Sequence, residues 1–73
     1  MDVYQKDKLL KLLPSLTPDF DAMDCTRTYR ATYGERIDWH PVASYLDEME
    51  AKKLLRISPG RRYDGFVRYM LNA

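Results

Sequence analysis

The sequence is poor in the residues that build crosslinked, metal-bound or membrane-embedded proteins. Its 73 residues include one cysteine, Cys25, and one histidine, His40. A single cysteine excludes an intramolecular disulfide, and the two residues together supply at most two of the four ligands of a structural zinc site. No apolar run approaches the ~20 residues of a membrane-spanning helix, and no signal-peptide pattern is present. We therefore expect a cytoplasmic protein that holds no metal or other cofactor.

Glycine is also scarce, and its three positions are widely separated. Gly34, Gly60 and Gly65 form no phosphate-binding loop. A Cys25–His40 nucleophile pair would need an oxyanion motif beside it, and the sequence provides none. We therefore expect no enzyme activity and interpret Cys25 as a small helix residue that is buried or half-buried.

The composition is that of a small globular domain, with 45% hydrophobic and 32% charged residues. A chain of this length forms one domain, residues 1–73, with a core near the lower limit for independent stability. The net charge of +1 is unevenly distributed. Residues 51–73 contain six basic residues and one acid, whereas residues 1–50 contain six basic residues and ten acids. A basic end of this kind favours an anionic partner, although a solvated surface explains it equally well.

The N-terminal segment is predicted to be helical. Asp2 can cap a helix that runs to about Leu13, because aspartate accepts hydrogen bonds from the first backbone N–H groups. Pro14 stops or kinks this helix, since proline lacks a backbone donor. The apolar residues at core spacing are Leu9, Leu12, Leu13 and Leu16.

A second helix is predicted to cover residues 25–33. Two starting points fit the sequence: Thr17 as the N-cap with Pro18 at the first helical position, or Asp24 as the cap of a helix that starts later. Gly34 fits the position just after the helix, where glycine takes a positive φ at little cost. A helix, a glycine turn and a further helix together predict a helix-turn-helix core.

The third helix is predicted to start at a cap formed by Asp38 or His40, with Pro41 in its first turn. Its inward face shows the i, i+3, i+4, i+7 spacing of an amphipathic helix and consists of Val42, Tyr45, Leu46 and Met49. Trp39, just before this helix, is either a hydrophobic staple or an exposed contact.

A β-hairpin is predicted after the third helix. Residues 54–57 begin a strand, residues 58–61 read as a turn, and residues 62–71 return as a second strand. Arg61 and Arg62 lie at the tip, where their charges suit a phosphate backbone. An amphipathic helix followed directly by a short hairpin is the helix-plus-wing arrangement.

Residues 42–55, which read VASYLDEMEAKKLL, resemble the winged-helix pattern V-x-x-x-L-x-x-M/L-E-x-x-G-L-L/V. The resemblance implies an α+β winged helix, with three helices and a C-terminal β-hairpin wing. Lys53 departs from this pattern, because the superfamily usually has glycine there. Lysine takes a left-handed conformation at that position only at some cost.

The chain is also similar to the small fimbrial (pilus) operon regulators over about residues 24–71. Their wing runs through a Ser-Pro pair, two arginines and an aromatic-rich strand. The corresponding residues here are Ser58, Pro59, Arg61, Arg62 and residues 66–69.

This resemblance implies a small sequence-specific transcriptional regulator of bacterial or phage type that binds double-stranded DNA. The third helix would enter the major groove, while arginines from the second helix, the turn and the wing contact phosphates. The expected DNA-binding residues are Arg27, Arg30, Arg36, Trp39, His40, Ser44, Asp47, Arg61 and Arg62.

The outward face of the third helix favours a second hypothesis. Asp47 and Glu48 are placed on that face, where a carboxylate can accept a hydrogen bond from cytosine but is usually repelled by phosphates. The alternative is a non-catalytic adaptor or inhibitor that binds a protein partner through this acidic face. A homodimer is compatible with either function, and no membrane contact is expected.

Overall fold

The computed structural model describes residues 1–16, 18–59 and 66–72. This part of the chain is a small α+β domain with three α-helices and one two-stranded antiparallel sheet. No helix in these three ranges combines the length and the apolar character needed to cross a bilayer. The elements in chain order are α1 (Val3–Leu12), a 3-10 helix (Leu13–Leu16), α2 (Ala22–Tyr33), α3 (Trp39–Ala51), β1 (Leu55–Ile57) and β2 (Tyr69–Leu71).

Helix α1 begins as its sequence predicts. Asp2 accepts a hydrogen bond from the Gln5 backbone, and the Gln5 side chain accepts one from the Asp2 backbone, which completes a capping box. The α-helical hydrogen bonds end at Leu12, and the chain tightens into the 3-10 helix that contains Pro14. The predicted end near Leu13 is therefore confirmed, because proline removes a backbone donor there.

Helix α2 is confirmed over residues 25–33, but both predicted caps are wrong. The N-cap is Asp21, whose carboxylate accepts from the Asp24 backbone N–H at 2.9 Å. Asp24 is the reciprocal partner of this capping box and accepts from the Asp21 backbone. Thr17, the other predicted cap, lies outside the described residues, and Pro18 precedes the helix. Two aspartates three residues apart satisfy two backbone donors, which is why the helix starts at Ala22.

A glycine turn links α2 to α3. Gly34 has φ 66°, and its N–H donates to the Arg30 carbonyl, so the predicted left-handed glycine is confirmed. Asp38 occupies the N-cap position of α3 but makes no side-chain capping bond. The flanking positions that a hydrophobic staple uses are held by Ile37 and Val42, both buried.

Helix α3 ends in a Schellman motif. The Leu54 N–H donates to the Met49 carbonyl and the Lys53 N–H donates to the Glu50 carbonyl, both at 2.9 Å. Lys53 has φ 65° and is the only non-glycine residue with positive φ among the described residues. Lys53, at the position where the resembling pattern has glycine, thus takes the left-handed conformation despite its cost, and it aims the chain from α3 into β1.

The two-stranded sheet packs on α3 through β1 and is extended at its β2 edge by one bridged residue. Strands β1 and β2 pair antiparallel, with Leu55 opposite Leu71 and Ile57 opposite Tyr69. On its other side Tyr69 forms a bridge with Phe20, which lies between α1 and α2. The predicted second strand, residues 62–71, is longer than the observed β2: residues 66–68 are not strand, and residues 60–65 lie outside the described residues.

The core lies where the three helices meet β1 and β2. The inward face predicted for α3 is confirmed, since Val42, Leu46 and Met49 are buried and Tyr45 is half-buried. Cys25 is buried as well, as its interpretation required. The remaining buried apolar residues are Leu9, Leu12, Leu13, Phe20, Ala22, Tyr29, Ile37, Leu55 and Tyr69.

Leu46→Ala should destabilise the domain by about 2–5 kcal/mol, because it removes fully buried methyl groups and leaves a cavity. In a domain of this size such a loss approaches the whole stability. Ser44→Ala, on the exposed face of the same helix, is the control and should change the stability by less than about 0.5 kcal/mol. Urea denaturation measures both. A midpoint for Leu46→Ala close to wild type would contradict the assigned helix face.

Lys53→Gly should stabilise the domain by about 0.5–1 kcal/mol. Glycine removes the left-handed strain of an L-residue, and its greater freedom in the unfolded chain offsets part of that gain. Lys52→Gly is the matched control: Lys52 has φ −85°, so this substitution should give no gain. Equal effects of the two glycines in thermal denaturation would show that the backbone at Lys53 is unstrained.

Candidate nucleic-acid interface

Helix α3 presents one continuous exposed face. His40, Ser44, Asp47 and Ala51 follow the i, i+4, i+7, i+11 spacing of a helix stripe, and all four are exposed. The face is opposite the buried stripe that contains Leu46. The structure therefore brings His40, Ser44 and Asp47 together on a single surface, as the sequence predicted.

Trp39 anchors the start of this face. Its indole stacks on the His40 ring with centroids 3.6 Å apart, and it meets the Phe66 ring edge-on at 5.0 Å. Trp39 is half-buried and stands at the first helical position, and its edge-on contact, Phe66, comes from the segment before β2. The predicted local staple is wrong for Trp39. It links the exposed face of α3 to the hairpin, and it holds the imidazole of His40 from one side.

Asp47 is held by the sheet. Its carboxylate accepts a hydrogen bond from the Tyr69 hydroxyl of β2. One carboxylate oxygen is therefore engaged, although the side chain remains on the exposed face. No sequence pattern indicates this contact, because the two residues are 22 positions apart and a tyrosine in a strand has many possible partners.

Glu48 binds lysines at the flank of α3 that faces α1. Its carboxylate lies 3.2 Å from Lys52 Nζ and 3.7 Å from Lys6 Nζ. The hydrogen bond from Lys52, followed by the charge of Lys6, lowers the pKa of Glu48 below its ordinary value. Lys6 also lies 5.2 Å from the centre of the Tyr45 ring. The acidic face expected from the sequence is thus partly neutralised by basic neighbours.

Three arginines predicted to contact phosphates lie on α2 and the following turn. Arg27 is exposed and pairs with Asp24 at 2.8 Å. Arg30 donates two hydrogen bonds, at 3.1 and 2.8 Å, to the Ile37 carbonyl and so braces the turn. Arg30 also lines a surface hollow with the exposed Arg36.

The acid inside that turn is engaged. Glu35, which lines the hollow beside Arg30 and Arg36, pairs with Lys8 of α1. The hollow therefore combines two arginines with a carboxylate whose charge is already compensated. The sequence, in which Glu35 is next to Arg36, indicates that this acid would repel an anion. Because Glu35 is paired with Lys8, the repulsion in the hollow is weaker.

Arg61 and Arg62, the predicted wing tip, lie outside the described residues. Arg56 of β1 and Lys53 at the end of α3 are exposed and add positive charge near the base of the hairpin. These two residues were counted in the basic end of the sequence but were not predicted as site residues.

Arg68 does not contribute free charge to the basic end. Its guanidinium lies 3.1 Å from an Asp19 oxygen, 3.0 Å from Asp21 and 3.2 Å from Asp24. The hydrogen bond from Arg68, helped by one from Ser58, lowers the pKa of Asp19 below its ordinary value. The Asp21 side chain is only 4% exposed, so the charge of its carboxylate is stabilised by contacts within the protein rather than by water. The contact fastens the segment before β2 to the start of α2.

The sequence contains a signal for this cluster that none of the predicted motifs uses. Asp19, Asp21 and Asp24 place three carboxylates within six residues around a helix start. Such a concentration of negative charge requires a cation, and arginine supplies several donors in a planar fork. Which arginine would supply them was not predictable, since Arg68 is 44 to 49 positions away.

Cys25 has the chemistry of a core residue. Burial raises the pKa of its thiol to about 12, so it stays protonated at neutral pH and is a poor nucleophile. In the described ranges, no three His, Cys, Asp or Glu side chains are grouped in a way that could hold a metal ion.

Arg68→Met should destabilise the domain by about 1–3 kcal/mol at pH 7, because it leaves the buried Asp21 carboxylate without its charged partner. The folded-state pKa of Asp19 is lowered, so the stabilisation is complete above its unfolded pKa of about 3.9 and disappears as the pH falls through the lower folded value. The difference between wild type and variant should therefore shrink at pH 3, as measured by urea denaturation.

Arg27→Met is the control for this prediction, since Arg27 also pairs with Asp24 but is 70% exposed. Its effect should stay within about 0.5 kcal/mol at both pH values. An Arg68→Met effect that is equally small would show that the cluster does not fasten β2 to α2.

Comparison of the chain with protein-family models, with characterised proteins and with solved structures found no match. The residues and contacts of this chain alone therefore bear on its function.

Proposed function

We propose that this chain is a winged-helix domain that binds double-stranded DNA, as a small sequence-specific transcriptional regulator of bacterial or phage type. The proposal rests first on the order of the elements. The chain runs from a first helix through a single bridged position at Phe20 to two helices joined by the Gly34 turn. A hairpin formed by β1 and β2 follows them. This is the element order of a winged helix.

The Phe20–Tyr69 bridge is the observation that supports the proposal most. It brings a third extended segment from between α1 and α2 to the far side of β2. The strand that follows the wing thus lies between the first and second extended segments. That arrangement leaves the exposed face of α3 open to a ligand.

In this proposal α3 lies in the major groove, with His40 and Ser44 nearest the bases. Asp47, steadied by Tyr69, can accept a hydrogen bond from the amino group of cytosine. Arg30 and Arg36 lie at the turn, where they contact the DNA backbone on one side of the groove. The wing arginines contact phosphates on the other side of the groove. Engagement of Glu35 and Glu48 by lysines reduces the repulsion that these acids would otherwise exert.

One observation favours the alternative, a protein-binding adaptor or inhibitor. Residues 40–51, which include the exposed face of α3, contain no lysine or arginine. A helix that reads DNA usually offers such donors to guanine. The two functions differ sharply in their salt dependence, because release of counterions accompanies DNA binding.

The test begins with selection of duplexes from a randomised pool, followed by titration of the enriched duplex over a salt series. Arg61→Ala with Arg62→Ala should weaken binding to all duplexes and lower the salt slope by about two units, near 0.9 for each lost phosphate contact. Arg61→Lys with Arg62→Lys keeps both positive charges and is the matched control, with an unchanged slope.

Failure of the pool to yield an enriched sequence, with no duplex binding even at low salt, would reject the DNA proposal. Recovery of a stoichiometric protein partner that is lost on Asp47→Ala would then support the adaptor. If DNA binds but the slope is the same for the double variant, the wing does not contact the backbone.

A further inference from the structure

Helix α1 carries an apolar stripe that the fold leaves exposed. Val3 is 78% exposed, Tyr4 80% and Leu10 41%, so three of the five exposed large hydrophobic residues in the described part of the chain lie on this one helix. The opposite side of the helix supplies Leu9 and Leu12 to the core. At 100° per residue the exposed side chains occupy about one third of the helix surface.

Two opposite charges lie within this stripe. Asp7 and Lys11 are one turn apart, with side chains 61% and 69% exposed, and they pair with each other at 3.1 Å. Their charges cancel, so the stripe does not attract a polyanion and is unsuited to DNA. The pattern instead has a negative group and a positive group separated by four residues along a largely apolar face.

We propose that this stripe binds a second copy of the chain, with the two α1 helices packed antiparallel about a twofold axis near residue 9. A rise of 1.5 Å per residue puts Asp7 and Lys11 about 3 Å on either side of that axis. A twofold rotation then places Asp7 opposite Lys11 of the second copy, and Lys11 opposite its Asp7. The same patch is complementary to itself, as an isologous interface requires.

The apolar residues obey the same symmetry. Leu10 lies about 1.5 Å along the helix from the axis and meets its own counterpart. Tyr4, five residues before the axis, comes opposite residue 14 of the second copy, which is the exposed Pro14. Leu10 and the two facing charge pairs thus lie within about 3 Å of the axis, and Tyr4 and Pro14 lie at the two ends of the interface.

Charge complementarity favours a second copy as the occupant. Asp7 and Lys11 of one helix face Lys11 and Asp7 of the other, and Leu10 lies close to the same axis. An interface centred on one ten-residue helix, about 15 Å long, belongs to the small class below ~1,200 Å². The association should therefore depend on concentration in an accessible range. The association of two copies does not depend on the proposed DNA binding.

Charge reversal tests the geometry directly by sedimentation velocity over roughly 1 µM to 1 mM, the range of weak association. Asp7→Lys makes both facing pairs positive, and Lys11→Asp makes both negative. Each single variant should dimerise about tenfold more weakly than wild type. An equimolar mixture of the two variants should recover dimers, because the two positive groups of one helix then face the two negative groups of the other.

Leu10→Ser should also weaken the dimer, whereas Leu54→Ser, which changes a comparably exposed leucine outside α1, should not. Circular dichroism confirms that each variant remains folded. A monomer mass for wild type throughout the range would overturn the proposal, and so would dimers that are unaffected by both charge reversals. Dimers weakened by Leu54→Ser but not by Leu10→Ser would move the interface to the hairpin and equally overturn it.

Discussion

The fold depends on Tyr69, where three distant segments of the chain meet. Its backbone N–H and carbonyl exchange hydrogen bonds with Phe20 at 2.7 and 3.0 Å, while β1 pairs along its other side. Its ring is buried, and its hydroxyl donates to Asp47 of α3. One residue therefore fixes the sheet against the segment before α2 and against the helix proposed to enter the groove. The position of α3 relative to the hairpin follows from these contacts.

Arg68, which directly precedes Tyr69, supplies the ion pairs of the same junction. It faces the three aspartates around the start of α2, two of which also cap that helix. The carboxylates thus bind backbone donors on one side and a guanidinium on the other. Since Arg27 also pairs with Asp24, the start of α2 combines three negative groups with two positive ones and keeps a net negative charge. Positive charge for the proposed interface is left, among the described residues, to the Arg30–Arg36 turn and to Lys53 and Arg56 near the hairpin.

Features set by neighbouring residues were predictable from the sequence. The capping aspartate at Asp2, the left-handed Gly34 and the inward stripe of α3 depend on spacings of three to four residues, and each was confirmed. The left-handed conformation of Lys53 was not predicted, because the resemblance marked this position only as one where glycine is usual. The predicted start of α2 was wrong because Asp21 and Asp24 form a reciprocal capping box, which neither predicted cap took into account.

Contacts between residues far apart in the chain were not predictable. The Tyr69–Asp47 bond, the Lys6–Glu48 pair and the packing of Trp39 on Phe66 join residues 22 to 42 positions apart. Nothing in local spacing selects these partners among the many charged and aromatic residues. They matter most for the candidate site, because they decide which acids on α3 remain free and how its first turn is held.

The Phe20–Tyr69 bridge also sets an order of assembly during synthesis. Helices α1 and α2 are capped by neighbouring residues, so their backbone hydrogen bonds need no distant partner. Strand β1 and Phe20 then have no backbone partner until residue 69 follows, 49 positions after Phe20. Closing so long a loop costs entropy before the contact forms, and contacts of this kind tend to slow folding. Until then the nascent chain exposes one strand edge, and that edge is available to any extended segment nearby.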